Sequence, residues 1–281
     1  QNGQRPKRDS ERLLACCTTY GPAYTLGVVG TGIFGSGLAG LLLYLGHLSA
    51  SLLVGLLFRF YQPKEGPRRG APLQAQFQTA SFPAAFTRSV TGALQSTLNI
   101  CAFVLFFTVV IRVLTRSGLL TEAAETIAAL FSPLGMDQVW ARRLLTGLLE
   151  MSSGVSSLTD GAMSGRLSMA AFMLGWAGVS VHCQVMAFLG DSGLSLRTYV
   201  VGKLLHGALS ALIVGGLARL FPLSGPVSAY LAQQTEAIAH LDFHRALTLS
   251  AVTSWGTWLV FLALAVWVVK KSSGKRARHG V

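Results

Sequence analysis

Charge is what this sequence has least of. Asp and Glu together number 11 in 281 residues, and all charged residues make up 12% of the chain, roughly half of what a soluble domain carries. Cysteine is scarce as well. The four, Cys16, Cys17, Cys101 and Cys183, show no CxxC spacing, which argues against a disulfide framework or a zinc site and leaves them as small buried hydrophobes. There is no phosphate-cradling glycine motif and no metal-ligand constellation, so no bound cofactor is expected. No basic and aromatic interleaving of the RNA-binding kind occurs, so nucleic acid is not an expected partner. No signal-peptide pattern is present, and a chain opening on Gln1 and running at once into membrane-type sequence is expected to be an internal or C-terminal piece of a longer protein.

What is present is apolar. Hydrophobic residues make up 51% of the chain and the mean hydropathy is +0.52, which places it among integral membrane proteins with the lipid bilayer as its surroundings. Nearly all of the net charge of +12 lies in segments beside apolar runs: Arg5 to Arg12, Arg59 to Arg88, and Lys270 to Arg278. These are topology signals.

Gly21 to Phe60 contains no charged residue before Arg59 and is too long for one crossing, which takes about 20 residues. The glycines between Gly30 and Gly37 break it into a half-helix over Pro22–Phe34 and a span over Leu38–Phe60. Tyr61–Ser89, rich in Pro, Gly, Gln and Arg, is expected to be a cytoplasmic loop. A second span covers Thr91–Leu114, with Gln95, Ser96, Thr97 and Asn99 at its start touching a cavity or another helix. Ser117–Ala129 is amphipathic, with Leu119, Leu120, Ala123, Ile127 and Leu130 on one face, and suits the interface. Ser132–Gly135 interrupts it. Further spans cover Leu167–Leu189, Tyr199–Phe221 and Leu247–Val269, separated by a turn at Asp191–Gly193 and a loop carrying Glu236, His240, Asp242 and His244. If each crosses once and Asp137–Glu150 enters and returns, the basic loop and the basic tail 270–281 share one side, giving a cytoplasmic C-terminus.

Two polar intrusions stand out. Asp137–Glu150 is too short to span, and it runs into Met151-Ser152-Ser153-Gly154-Val155-Ser156-Ser157, the signature of a discontinuous helix, tolerated at membrane depth only where it is buried in protein or lines a cavity. Gly147, Gly154 and Gly161 would share one face if the helix continued. The second intrusion is Gly175-Trp176-Ala177-Gly178-Val179-Ser180-Val181-His182-Cys183-Gln184. An ionisable group inside a membrane segment costs about 2.5–3.5 kcal/mol on insertion scales. Glu150, with Ser153 and Ser157 at i+3 and i+7, and His182, with Ser180 and Gln184, therefore form a candidate set for a small polar solute and a proton. Alternatively, Glu150 pairs with Arg142, Arg143, Lys203 or His182 to hold helices together.

These two motifs, with Lys203-Leu204-Leu205-His206-Gly207 after them, resemble those of the YlbJ-type sporulation integral membrane proteins, whose membrane part is the nucleoside-recognition or gate domain. The resemblance covers Thr91 to Val269 and extends to Thr18–Phe60 as the tail of the family's first half. It implies an all-α polytopic membrane protein with re-entrant helices, half of an inverted-repeat transporter architecture. Residues 1–20 would be a remnant of the first repeat, 21–60 a broken half-helix plus span, 61–90 the cytoplasmic loop, 91–269 the gate domain and 270–281 the tail. The implied activity is movement of a dipicolinate-like anion during endospore formation. The candidate substrate-binding residues are Glu150, Ser152, Ser153, Ser180, His182 and Gln184. The missing first-half repeat would be a partner in that activity, since the Gly-rich motif mirroring Glu150–Gly154 is not in this chain and Cys16-Cys17-Thr18-Thr19 stands where an asparagine-rich stretch is expected. Two rival readings are a membrane protein that organises sporulation components and an intramembrane serine hydrolase. No GxSG element surrounds Ser153 or Ser180, so an enzyme is not expected.

Overall fold

The computed structural model describes residues 7–60, 81–190 and 194–221, together with Trp255, Gly256, Leu259 and Ala263. The chain divides into two units, Gln1–Gly225 and Pro226–Val281, and the architecture below is that of the first. The turn at Asp191–Gly193, the loop with Glu236 to His244 and the tail 270–281 lie outside the described residues. So does most of the expected span Leu247–Val269, within which the four described residues of the second unit are helical.

Every described element is helical. Helix α1 (Lys7–Cys17) leads to a π-helix (Ala23–Ile33), α2 (Gly37–Phe58), α3 (Phe82–Arg116) and α4 (Leu119–Phe131). A 3₁₀ turn (Ser132–Leu134), α5 (Gln138–Leu149), α6 (Met151–Ser156), α7 (Met163–Trp176), α8 (Gly178–Leu189) and α9 (Leu196–Leu220) follow. Among the described residues, four stretches are long and apolar enough to cross a membrane: α2, α3, α7 with α8, and α9. The protein is an all-α polytopic membrane protein.

Local chemistry sets most of the boundaries. Ser36, Asp137 and Ser195 cap α2, α5 and α9, their side-chain oxygens accepting from the N–H groups of Ala39 (3.2 Å), Trp140 (2.8 Å) and Thr198 (3.4 Å). Gly118, at φ 84°, supplies the left-handed residue between α3 and α4. The loop expected over Tyr61–Ser89 ends earlier than its composition suggested. Pro83 sits in the first turn of α3, where its missing N–H is harmless, so it starts a helix instead of punctuating a loop.

Helix α4 falls on the expected amphipathic segment, with Leu120 and Ala124 buried against the described chain and Leu119 and Leu130 exposed. Gln95, Thr97 and Asn99 are exposed and Ser96 only partly covered, with the Thr97 hydroxyl donating to its own helix at Ala93. Among the described residues α3 buries a single side chain, Phe107, so these four show no buried contact there. Nor are the cysteines buried hydrophobes: Cys17 and Cys101 are exposed, and Cys16 and Cys183 half-buried.

The core forms where α7 packs along α9 and α2. Glycines permit the closest approach. A Cβ on Gly175 would lie 2.5 Å from the Gly207 Cα, so α7 and α9 cross backbone to backbone. The π-helix doubles back onto α2 through Gly30 and Gly40, whose backbones touch, around a turn with Gly35 at φ 64°. Val29, Phe34, Leu43, Met151, Leu158, Leu167, Met173 and Leu174 fill the space between these elements.

Candidate functional site

Helix α5 stops at Glu150. Its φ of −141° and ψ of 116° are extended, yet its N–H still donates to Thr146 O at 2.8 Å, so Glu150 ends one helix and begins the next. The carboxylate turns onto α6, accepting from the N–H groups of Ser152 at 2.9 Å and Ser153 at 2.6 Å. A carboxylate at a helix start satisfies otherwise orphaned donors and meets the positive end of the peptide dipoles. Glu150 is 1% exposed, and none of the four pairings proposed from sequence is made. Arg143 instead holds Asp160, Lys203 donates to Thr18 O, His182 binds Gly178 O, and Arg142 is exposed.

The chain reverses at this cap. Gly154 and Gly147 are in backbone contact, although seven residues of unbroken helix would place them about 10 Å apart. The glycine spacing therefore does not mark one face of a continuous helix. Gly147 and Gly154 are the inner walls of a re-entrant hairpin, and Gly161, at φ 103°, is a turn packed on Trp140. The break also removes the shared face proposed for Glu150, Ser153 and Ser157. The Ser157 hydroxyl closes the end of α6 by donating to Gly154 O at 2.6 Å.

The second break, between α7 and α8, consists of Ala177 at φ 77° and Gly178 at φ 81°. Ala177 is the one described residue other than glycine with positive φ, a strained conformation that persists only where its surroundings impose it. Here they do. A Cβ on Gly178 would lie 2.9 Å from Met151 N and 3.3 Å from the Glu150 Cα, so the two breaks are pressed together. Trp176 Nε1 donates to Leu148 O at 3.1 Å, and the Tyr20 hydroxyl donates to Ala177 O at 3.4 Å. Tyr24 reaches Met151 Sδ at 3.7 Å. Carbonyls released by the breaks thus find side-chain donors, as buried backbone requires.

The predicted site residues divide into two groups. Glu150, Ser152 and Ser153 lie at the first break, where the two serines contribute backbone N–H groups to the cap. Ser180, His182 and Gln184 lie in the first two turns of α8, all buried. Ser180 and Gln184 are four apart and share a face, while His182 projects to the other side of the helix. The His182 Nδ1–H donates to Gly178 O at 2.7 Å, leaving Nε2 as the acceptor. Its ring lies 4.4 Å from Trp176 and 5.1 Å from Tyr199. Ser180 Oγ, His182 Nε2 and Gln184 Nε2 are buried with no partner among the described residues.

Sequence reading offered Lys203 as a pairing partner for Glu150 and as a membrane-depth charge for a carboxylate solute, placed His206 in a span without a role, and passed over His47, Tyr20 and Tyr199. His47 of α2 stacks on His206 of α9 with centroids 4.3 Å apart, and His206 Nε2 bonds His47 O at 2.9 Å. The Tyr20 N–H donates to His47 Nε2 at 3.3 Å. A single histidine in the apolar run Leu41 to Leu53 was the available signal, since an ionisable group at membrane depth marks a partner or a pathway.

The sporulation integral membrane protein YlbJ of Bacillus subtilis (strain 168) is 26% identical over 238 residues, covering 76% of this chain. The chain is thus similar to a YlbJ-type sporulation protein. It spans 57% of the length of that curated relative. No protein-family model and no solved structure matches the chain. In YlbJ-type terms, the two sequence motifs that carry the resemblance are the two helix breaks, and the fold brings them into contact. Lys203-Leu204-Leu205-His206-Gly207, the third piece, supplies both the Gly207 crossing with α7 and the buried Lys203 and His206.

Proposed function

We propose that this YlbJ-like chain forms part of the solute path of a membrane transporter for a small polar or anionic metabolite. A dipicolinate-type dicarboxylate carried during endospore formation is the first solute to test. One observation carries the reading: two helix breaks meet back to back between apolar spans, and three buried side-chain atoms beside them, on Ser180, His182 and Gln184, have no partner among the described residues. Broken helices at mid-membrane are where transporters bind their solutes. The relative's name supports the sporulation setting, and its greater length supports a path completed by a second half. Positive charge on the 61–80 segment and the tail supports a cytoplasmic C-terminus.

We read the protein as non-catalytic. His182 Nδ1 is engaged with Gly178 O, and no described serine is hydrogen-bonded to a histidine, the arrangement an activated serine requires. The test is dipicolinate movement into vesicles carrying the complete protein, compared with Ser180→Ala and Gln184→Ala. Transport by the wild type that falls at least tenfold in the variants supports the reading. Equal transport in all three removes these residues from the path. Absence of transport in all, with insertion verified, favours an organising role instead. That second reading has its own support in α3, whose apolar length is almost wholly uncovered by the described chain.

A further inference from the structure

Next to the crossing lies a buried cluster that the capping chemistry does not use. Lys203 is 1% exposed, and the residues around it, His47, His206, Tyr199 and Ser210, are exposed by 1% or less. Three of them belong with Lys203 to one face of α9, at positions 199, 203, 206 and 210. His47 enters from α2. Lys203 Nζ donates to Thr18 O at 2.8 Å, and an ammonium has three donors. Among the described residues no carboxylate forms an ion pair with it. The buried acids are committed elsewhere, Glu150 to the α6 cap and Glu11 to the Ser195 N–H at 2.7 Å.

The hydrogen bonds fix what the neighbours offer. His47 Nε2 accepts from the Tyr20 N–H, so in the neutral ring the proton sits on Nδ1, a donor with no partner among the described residues. His206 Nε2 donates to His47 O, leaving its Nδ1 as an unpartnered acceptor. Among the described residues Ser210 Oγ has no partner, and the Tyr199 hydroxyl, which lies beside Thr18, has none in good hydrogen-bond geometry. An ammonium, an imidazole N–H and a phenol O–H therefore share one buried region rich in donors, the complement of an anionic oxygen. A buried unmatched positive charge is costly, and an incoming anion relieves that cost where a neutral solute cannot.

We propose that Lys203, assisted by His47 and Tyr199, is the counter-charge that makes this site select anionic over neutral solutes. The inference rests on the transport reading for its substrate, but it is tested by binding. The probes are dipicolinate and its uncharged diamide, pyridine-2,6-dicarboxamide, titrated into the purified full-length protein in detergent by isothermal calorimetry. The expected result is preferential binding of the dicarboxylate by the wild type. In Lys203→Gln that affinity should drop at least tenfold while diamide affinity stays within twofold, and Lys203→Arg should retain most of the preference. Lys203→Gln that binds the dicarboxylate as well as wild type overturns the proposal, as does an equal loss for both probes in a variant with unchanged thermal stability. If Lys203→Gln does not fold, His47→Phe takes its place, with at least a threefold loss for the dicarboxylate alone expected and no selective loss contradicting the proposal. Lys203-dependent binding without transport would sink the transport reading and leave the site standing. Transport indifferent to Lys203→Gln would do the reverse.

Discussion

Gly178 rests on the backbone of Glu150. The residue that restarts one broken helix is in contact with the residue that caps the other, with room for no Cβ between them, since one would sit 2.9 Å from Met151 N. Gly178 also holds φ at 81°, so two independent requirements exclude a side chain.

Gly178→Ala is accordingly expected to destabilise the protein by about 1–3 kcal/mol, from the left-handed backbone and the forced separation of the breaks together. Gly37→Ala is the control. Its Cβ would meet nothing within 4 Å, and it opens α2, so its melting temperature should match or slightly exceed that of the wild type. Thermal unfolding in detergent reads both. Equal stability of the two variants would mean that the breaks do not touch.

Substitutions at Glu150 separate capping from charge. Glu150→Ala removes both acceptors for the Ser152 and Ser153 N–H groups and is expected to cost about 1–2 kcal/mol. Glu150→Gln keeps one side-chain oxygen and should lose roughly half as much. If Glu150 were a solute ligand first and a cap second, both variants would melt like the wild type while losing transport.

The re-entrant hairpin makes a similar demand. Gly154→Ala would drive a methyl group into the Gly147 backbone, and about 1–3 kcal/mol of overpacking cost is expected. Gly216→Ala, with nothing within 4 Å of its Cβ, should be neutral or stabilising in α9. A continuous helix through residues 147–154 would tolerate both changes alike.

The Arg143–Asp160 pair should matter little for stability. Asp160 has an 87% exposed side chain, and the charged groups are 3.6 Å apart, so solvent screens most of the attraction. Asp160→Asn is expected to change stability by less than about 1 kcal/mol, and the Arg143 bond to Asp160 O, which survives the substitution, explains why. A larger loss in thermal unfolding would show that the carboxylate is structurally required.

The spans were legible because apolar runs bounded by glycine, proline and basic residues have few other solutions. Leu38–Phe60 and Tyr199–Phe221 were each placed within a few residues of α2 and α9. The break at Glu150 was legible as well, because polar residues interrupt an apolar run there. What Glu150 does was not. A carboxylate in a membrane segment suggests a ligand or an ion pair, and only the backbone geometry shows that its partners are two N–H groups of its own chain. His47 was missed because its partner His206 lies 159 residues away. No local pattern joins them. Pro83 misled for a related reason, as proline marks both loops and first helical turns.

The most direct test of the central claim is access of solute to the two breaks. In a protein with the four native cysteines replaced by alanine, Ser180→Cys and Gln184→Cys would be treated with a membrane-impermeant thiol reagent, with and without dipicolinate. Leu105→Cys on α3, where Leu105 is 67% exposed on an apolar span, serves as the lipid-facing reference. The account predicts that the two α8 positions label, that dipicolinate protects them, and that Leu105→Cys does neither. Positions 180 and 184 as inert as 105, in protein that inserts and folds normally, would contradict a solute path through the crossing.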